Sequence, residues 1–93
     1  MAWQALVEID ARDPVPEGRL RELLDAHPRV VSLSVNAPAG RRLLGRARPA
    51  SALVGVEAET REEAERVARA AVEDALARSG VRASLRVGAF RGR

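Results

Sequence analysis

The sequence predicts an α+β domain in which a four-stranded antiparallel sheet carries two helices on one face. Four segments alternate apolar and polar residues with a period of two, which is typical of strands that bury one face. Two other segments repeat apolar residues at helical spacing. Prolines and glycines separate these segments, and their order along the chain is strand, helix, strand, strand, helix, strand.

The first strand is predicted at residues 3–10, with every second side chain on one face. That face carries Trp3, Ala5, Val7 and Ile9. Pro14 and Pro16 follow the strand, and two prolines this close do not fit inside a sheet. Pro16 suits the first turn of a helix, where its missing N–H costs no hydrogen bond. The sequence therefore changes from strand to helix within residues 11–16.

The first helix is predicted at residues 16–27. Its apolar stripe is Leu20, Leu23 and Leu24, at the spacing i, i+3, i+4. Pro28 ends it, because the residue before a proline is pushed out of helical geometry. The single histidine, His27, then lies at the negative end of the helix dipole. That position favours a structural role for His27 over a catalytic one.

The second and third strands are predicted at residues 30–37 and 51–59. The apolar faces are Val31, Leu33 and Val35 in the second strand and Ala52, Val54, Val56 and Ala58 in the third. The connection at residues 38–50 is longer than the two to five residues usual in a hairpin.

The second helix is predicted at residues 61–79. Thr60 is a good N-cap and Glu63 follows three residues later, which is the pattern of a capping box. Gly80 is the expected residue just beyond the C-terminus. The apolar stripe is Ala64, Val67, Ala68, Ala71, Val72, Ala75 and Leu76. On the other faces of this helix, i,i+4 spacing predicts two ion pairs, Glu62–Arg66 and Glu65–Arg69.

The fourth strand is predicted at residues 82–90, followed by a short basic tail. The complete order of elements resembles the ferredoxin-like βαββαβ sandwich, and the resemblance covers nearly all of a single domain at residues 1–93. It implies the sheet order 4-1-3-2, with strands two and four at the edges. Metal chaperones, RNA-recognition domains, acylphosphatases and dimerisation modules all share this fold, so the resemblance does not choose a function.

The amino-acid composition excludes several kinds of functional site. The chain has no cysteine and no tyrosine, and one histidine. It therefore lacks thiolate metal ligands, iron–sulfur ligands and a thiol nucleophile. No catalytic constellation, metal site or cofactor site can be recognised, and we expect a non-enzymatic protein. The sequence starts with no signal peptide and contains no apolar stretch long enough to span a bilayer, so we expect a cytoplasmic protein without membrane contact.

All 16 basic residues are arginines, and the formal net charge is +3. Four of them cluster in the long connection between the second and third strands: Arg41, Arg42, Arg46 and Arg48. Such an arm could track nucleic-acid phosphates or another anion. The alternative is a solvated loop in a protein that uses arginine as its only strong cation. Leu43 and Leu44 favour a third alternative, contact with a protein partner.

The face of the sheet away from the helices is the other candidate surface. It is predicted to carry Leu6, Glu8, Leu53, Glu57 and Arg86. The two leucines form an apolar patch, and the charged residues could pair across adjacent strands. We expect an interaction domain that forms a homodimer through this face or through an edge strand. Nucleic-acid binding by the arginine arm and sensing of a small metabolite remain open as alternatives.

Overall fold

The chain folds with the predicted order of elements. The computed structural model describes residues 2–36 and 50–91. The elements are β1 (Ala2–Ala11), α1 (Glu17–Asp25), β2 (Val30–Asn36), β3 (Ala50–Glu57), α2 (Arg61–Arg78) and β4 (Ala83–Arg91). The strands form one antiparallel sheet in the order β2-β3-β1-β4, which is the predicted order read from the other edge. The ferredoxin-like α+β fold is confirmed.

The core lies between the helices and one face of the sheet. The central strands β1 and β3 contribute most to it, because they have a neighbour on both sides. Their fully buried side chains are Ala5, Val7, Ile9, Ala52, Val54 and Val56. α1 adds only two fully buried residues, Leu20 and Leu24. Burial thus follows the predicted alternation along β1, and along β3 except at Gly55, which is buried although it lies on the other face.

The buried stripe of α2 consists mainly of alanine. Its buried residues are Ala64, Ala68, Ala71, Val72, Ala75 and Leu76. Alanine has the highest helix propensity, so this face favours the helix as well as the packing. Short side chains also leave little room between the helix backbone and the sheet. We therefore expect the fold to be sensitive to added volume at these positions.

Both ends of α2 have the predicted caps. The hydroxyl of Thr60 accepts a hydrogen bond from the N–H of Glu63 at 3.1 Å. At the other end, Gly80 adopts a left-handed φ of +72°, which a residue without a Cβ tolerates well. The N–H of Val81 then reaches back to the carbonyl of Leu76 at 2.9 Å, the bond that defines a Schellman motif.

α1 ends two residues earlier than predicted. Its last residue is Asp25, and Ala26 is the C-cap. His27 belongs to the following turn, where its Nδ1 accepts a hydrogen bond from the N–H of Arg29 at 3.2 Å. The restriction that Pro28 imposes on the residue before it explains the early end. The histidine therefore has a structural role in the turn and not in the helix.

The alternation predicted for β2 is wrong at one position. A β-bulge lies between Val30 and Ser32, which pair with consecutive residues Val56 and Gly55 of β3. Val31 is the extra residue, and 59% of it is exposed. Val30, instead of Val31, packs against the core. Beyond the bulge, the rest of β2 follows the predicted alternation.

Candidate interaction surface: the open face of the sheet

The register of the strands arranges the face away from the helices, which we call the open face, in rows. Leu6 of β1 lies directly opposite Leu53 of β3 on one side and Gly88 of β4 on the other. Ser34 of β2 completes this row beyond Leu53. The two predicted leucines are thus neighbours on the two central strands, in the middle of the sheet.

An aromatic ring extends this apolar surface. Phe90 lies opposite Gln4, one row from Leu6, and is 50% exposed. Leu6 is 40% exposed, and Leu53 is half-buried. The surface predicted from the sequence did not include Phe90, although simple alternation places this residue on the same side of β4 as Arg86. A contiguous apolar strip therefore crosses the middle of the open face.

A glycine keeps one part of the open face flat. Gly55 is buried and lies opposite Ser32 on the edge strand β2. A Cβ added at Gly55 would clash with the Ser32 side chain and lie 3.2 Å from its Cβ. The missing side chain lets Ser32 cover the backbone of β3. The Ser32 side chain therefore occupies the place that a side chain of residue 55 would take.

The charged residues of the open face lie mainly at one end. Glu8 is opposite Arg86, and Asp10 is opposite Ser84 in the next row. These strands border a shallow cleft of about 320 Å³, lined by Glu8, Ile9, Asp10, Ser84, Leu85 and Arg86. Glu57 does not join this group, because the register places it opposite Ala2 at the far end of the sheet. The predicted grouping of all three charges therefore does not form.

Side chains from the helices lie over both edges of the sheet. At β4, the N–H of Ala89 donates to Glu65 Oε2 at 3.1 Å. The carbonyl of Leu85 accepts from Arg69 Nη1 at 3.4 Å. At β2, the carbonyl of Val35 accepts a long bond from Arg21 Nη2 at 3.5 Å. Both edges are thus partly occupied by the chain itself.

Neither of the two ion pairs predicted along α2 forms in the described part of the chain. Glu62 and Arg66 make no ion pair with each other, and edge contacts replace the pair between Glu65 and Arg69. The sequence predicted a pair between Glu65 and Arg69, but the two side chains extend to different residues of β4. Glu65 instead lies 3.8 Å from Arg61 Nε, one turn earlier in α2. Charge spacing along a helix does not reveal such contacts, because the neighbouring strand is distant in sequence.

The far end of the sheet is held by Trp3 and Arg29. Trp3 Nε1 donates to the carbonyl of Ala58 at 3.1 Å, which confirms the predicted packing role of this residue. Arg29 Nη2 donates to the carbonyl of Glu57 at 3.1 Å and to Glu63 Oε1 at 3.0 Å. The hydrogen bond from Arg29 is the main reason that the pKa of Glu63 lies below its ordinary value.

We expect Glu63→Gln to remove a pH-dependent part of the stability. A carboxyl group with a lowered pKa in the folded state stabilises the fold above its unfolded pKa, and this contribution is lost as the pH falls through the lowered pKa. The ordinary value for Glu63 is 4.5. Chemical unfolding at several pH values should therefore show the wild type losing its advantage over the variant below that pH.

The control for this prediction is Glu62→Gln, an exposed carboxylate in the same helical turn. The difference in free energy of unfolding between Glu62→Gln and the wild type should change less between pH 7 and pH 3. A Glu63→Gln difference that stays constant over this pH range would contradict the role assigned to Arg29.

The four predicted anion-binding residues, Arg41, Arg42, Arg46 and Arg48, lie outside the described residues. Their role stays a prediction. Within residues 2–36 and 50–91, no group of three His, Cys, Asp or Glu side chains could hold a metal ion. Neither of the helices described there is long and apolar enough to cross a bilayer. Comparison of the chain with protein-family models and with curated proteins finds no match.

Proposed function

We propose that this protein is a non-catalytic interaction domain that forms a homodimer by packing its open face against the open face of a second copy. The observation that carries the proposal is the apolar strip of Leu6, Leu53 and Phe90 across an otherwise polar surface. Burying such side chains contributes about 25 cal/mol for each Å² of apolar surface removed from water. A small domain also gains from association, because it can bury only a modest core by itself.

A second copy can cover this surface symmetrically, because the leucines lie in its middle. Leu6 and Leu53 belong to the central row of the two central strands. When two such faces stack about a two-fold axis through their centres, the leucines of one copy meet those of the other. A two-fold interface of this kind uses the same patch on both subunits.

The size of the open face is consistent with a weak dimer. Four strands about 4.8 Å apart, paired over about seven residues of roughly 3.4 Å each, present about 450 Å². Two stacked faces then cover about 900 Å², which is near the lower limit of specific interfaces. We therefore expect an association that depends on concentration in the ordinary working range.

The occupied edges favour the open face over an edge strand as the dimer surface. Glu65 and Arg69 hold two backbone groups of β4, and Arg21 contacts one of β2. The open face has no such covering within the described residues, since Leu6 and Phe90 remain about half exposed. Of the two routes to a homodimer expected from the sequence, stacking of the open faces is therefore the one we propose.

Leu6→Arg tests this proposal. Sedimentation velocity of the wild type should show a species of twice the monomer mass that grows with concentration. The variant should remain monomeric over the same range, because a buried unpaired charge at the centre of the interface opposes stacking. Its far-UV circular dichroism should match that of the wild type, because Leu6 is outside the core.

The matched control is Ala70→Arg, which adds the same charge at an exposed position of α2. It should dimerise like the wild type. A Leu6→Arg variant that associates as strongly as the control would contradict the proposal. A wild type that stays monomeric at all accessible concentrations would do the same.

A further inference from the structure

The edge of β4 is regular enough to accept another strand. Its pairing with β1 runs without interruption from Ala83 to Arg91. The other edge strand, β2, contains the bulge at Val31, and bulges disturb the regular spacing that a new strand needs. Exposed regular edges invite pairing with other chains. β4 is therefore the edge at which the protein most needs protection.

Alternation along β4 shows which of its groups point outward. The N–H of Ala89 bonds to Glu65, so Ala89 forms a non-hydrogen-bonded pair with its partner in β1. Hydrogen-bonded and non-hydrogen-bonded pairs alternate in an antiparallel ladder. The N–H and C=O groups of Leu85 and Val87 therefore also point away from β1. The bond from Arg69 to the carbonyl of Leu85 agrees with this assignment.

We propose that Glu65 and Arg69, which we call the guard pair, prevent β4 from pairing with the β4 of a second copy. Each holds one outward backbone group that an added strand would need, namely the N–H of Ala89 or the C=O of Leu85. Both bonds involve a charged side chain, which favours them over bonds between neutral groups. The bond to Glu65 is the shorter, at 3.1 Å, and the bond from Arg69 is long, at 3.4 Å. An added strand would have to displace both.

The two bonds of the guard pair are spread along β4, and α2 runs antiparallel to the strand between them. Glu65 and Arg69 are one helical turn apart, yet they reach residues four positions apart in β4. Val87 lies between the two guarded residues. The β4 strand of a second copy is therefore excluded from the middle of the edge as well as from the two contact points.

The double variant Glu65→Ala/Arg69→Ala tests the guard pair. We expect it to form assemblies larger than those of the wild type, measured by sedimentation velocity at equal concentration. The matched control, Glu62→Ala/Arg66→Ala, removes the same two charges from exposed positions of the same helix. The control should keep the mass distribution of the wild type.

Val87→Pro shows whether the new assemblies form through the edge. Its outward N–H is needed by an added strand and not by the existing sheet, where proline is tolerated at such edge positions. Adding Val87→Pro to the double variant should therefore remove the larger assemblies. Assemblies that persist with this proline, or a folded double variant with the same masses as the control, would overturn the proposal.

Two further experiments separate edge pairing from open-face stacking and from a loss of folding. Repeating the experiment with Leu6→Arg removes the proposed stacking of open faces, and the gain in mass on loss of the guard pair should persist. If the double variant does not fold, the single variant Glu65→Ala is measured in its place. The amide of Ala89 should then exchange at least tenfold faster with solvent, with assemblies again reversed by Val87→Pro. An unchanged exchange rate would overturn the proposal.

Discussion

Replacing Leu20 by alanine is expected to lower the free energy of unfolding by about 2–5 kcal/mol, the usual range for a buried leucine. Leu20 is fully buried, and it is one of only two such residues in α1. A helix of nine residues is not stable by itself in water, so packing must hold it. Truncation of one of its two fully buried side chains should therefore weaken the attachment of α1 to the sheet.

Thermal unfolding measures this effect. In a domain of this size, about 4–8 °C of melting temperature correspond to 1 kcal/mol, so Leu20→Ala should melt roughly 8–40 °C lower. Val31→Ala is the control, because it shortens an aliphatic residue that is 59% exposed. Its melting temperature should change by only a few degrees. Equal shifts for the two variants would show that α1 does not pack as described.

Ala68→Leu is expected to destabilise the protein by about 1–3 kcal/mol through overpacking. Ala68 is fully buried in the middle of the alanine stripe of α2. Leucine is nearly as good a helix former as alanine, so helix propensity cannot account for a large loss. The loss would arise because three added carbon atoms push α2 away from the sheet.

Ala70→Leu gives the matched comparison, since Ala70 is exposed two residues further along the same helix. We expect its free energy of unfolding to stay within about 0.5 kcal/mol of the wild type, as for most surface substitutions. Urea unfolding of the two variants measures the difference directly. If Ala68→Leu is as stable as Ala70→Leu, the alanine stripe does not limit the helix–sheet distance.

The fold could be predicted because the periodicities of this sequence are regular. The stripe of α2 and the alternation of β1 determine which sides are buried, and the caps Thr60 and Gly80 mark where α2 begins and ends. The two helices must cover one sheet, and right-handed crossover connections then leave few possible orders of its strands. The order of the four strands was implied by the resemblance to the ferredoxin-like sandwich, and it is one of these arrangements.

The bulge in β2 could not be predicted from the pattern. Val30 and Val31 are both aliphatic, so either could occupy the position that faces the core. The choice depends on the register with β3, which places Ser32 opposite Gly55. This register is decided by packing between strands and not by the local sequence of β2.

Only part of the candidate site could be predicted, for the same reason. Alternation correctly placed Leu6 and Leu53 on the same face, because both residues lie on regular strands. It could not show that Glu57 is distant from Arg86, which requires the register of three strands. Nor could it show that Glu65 binds the backbone of Ala89, a contact between residues 24 positions apart.

The central claim is that the open face contacts a second copy, and nuclear Overhauser effects between labelled and unlabelled copies test it most directly. In a mixed sample at a concentration where dimer is present, the methyl groups of Leu6 and Leu53 should give cross-peaks to leucine or Phe90 protons of the other copy. Cross-peaks that arise only from the helices or from the outer edge of β4 would contradict the claim.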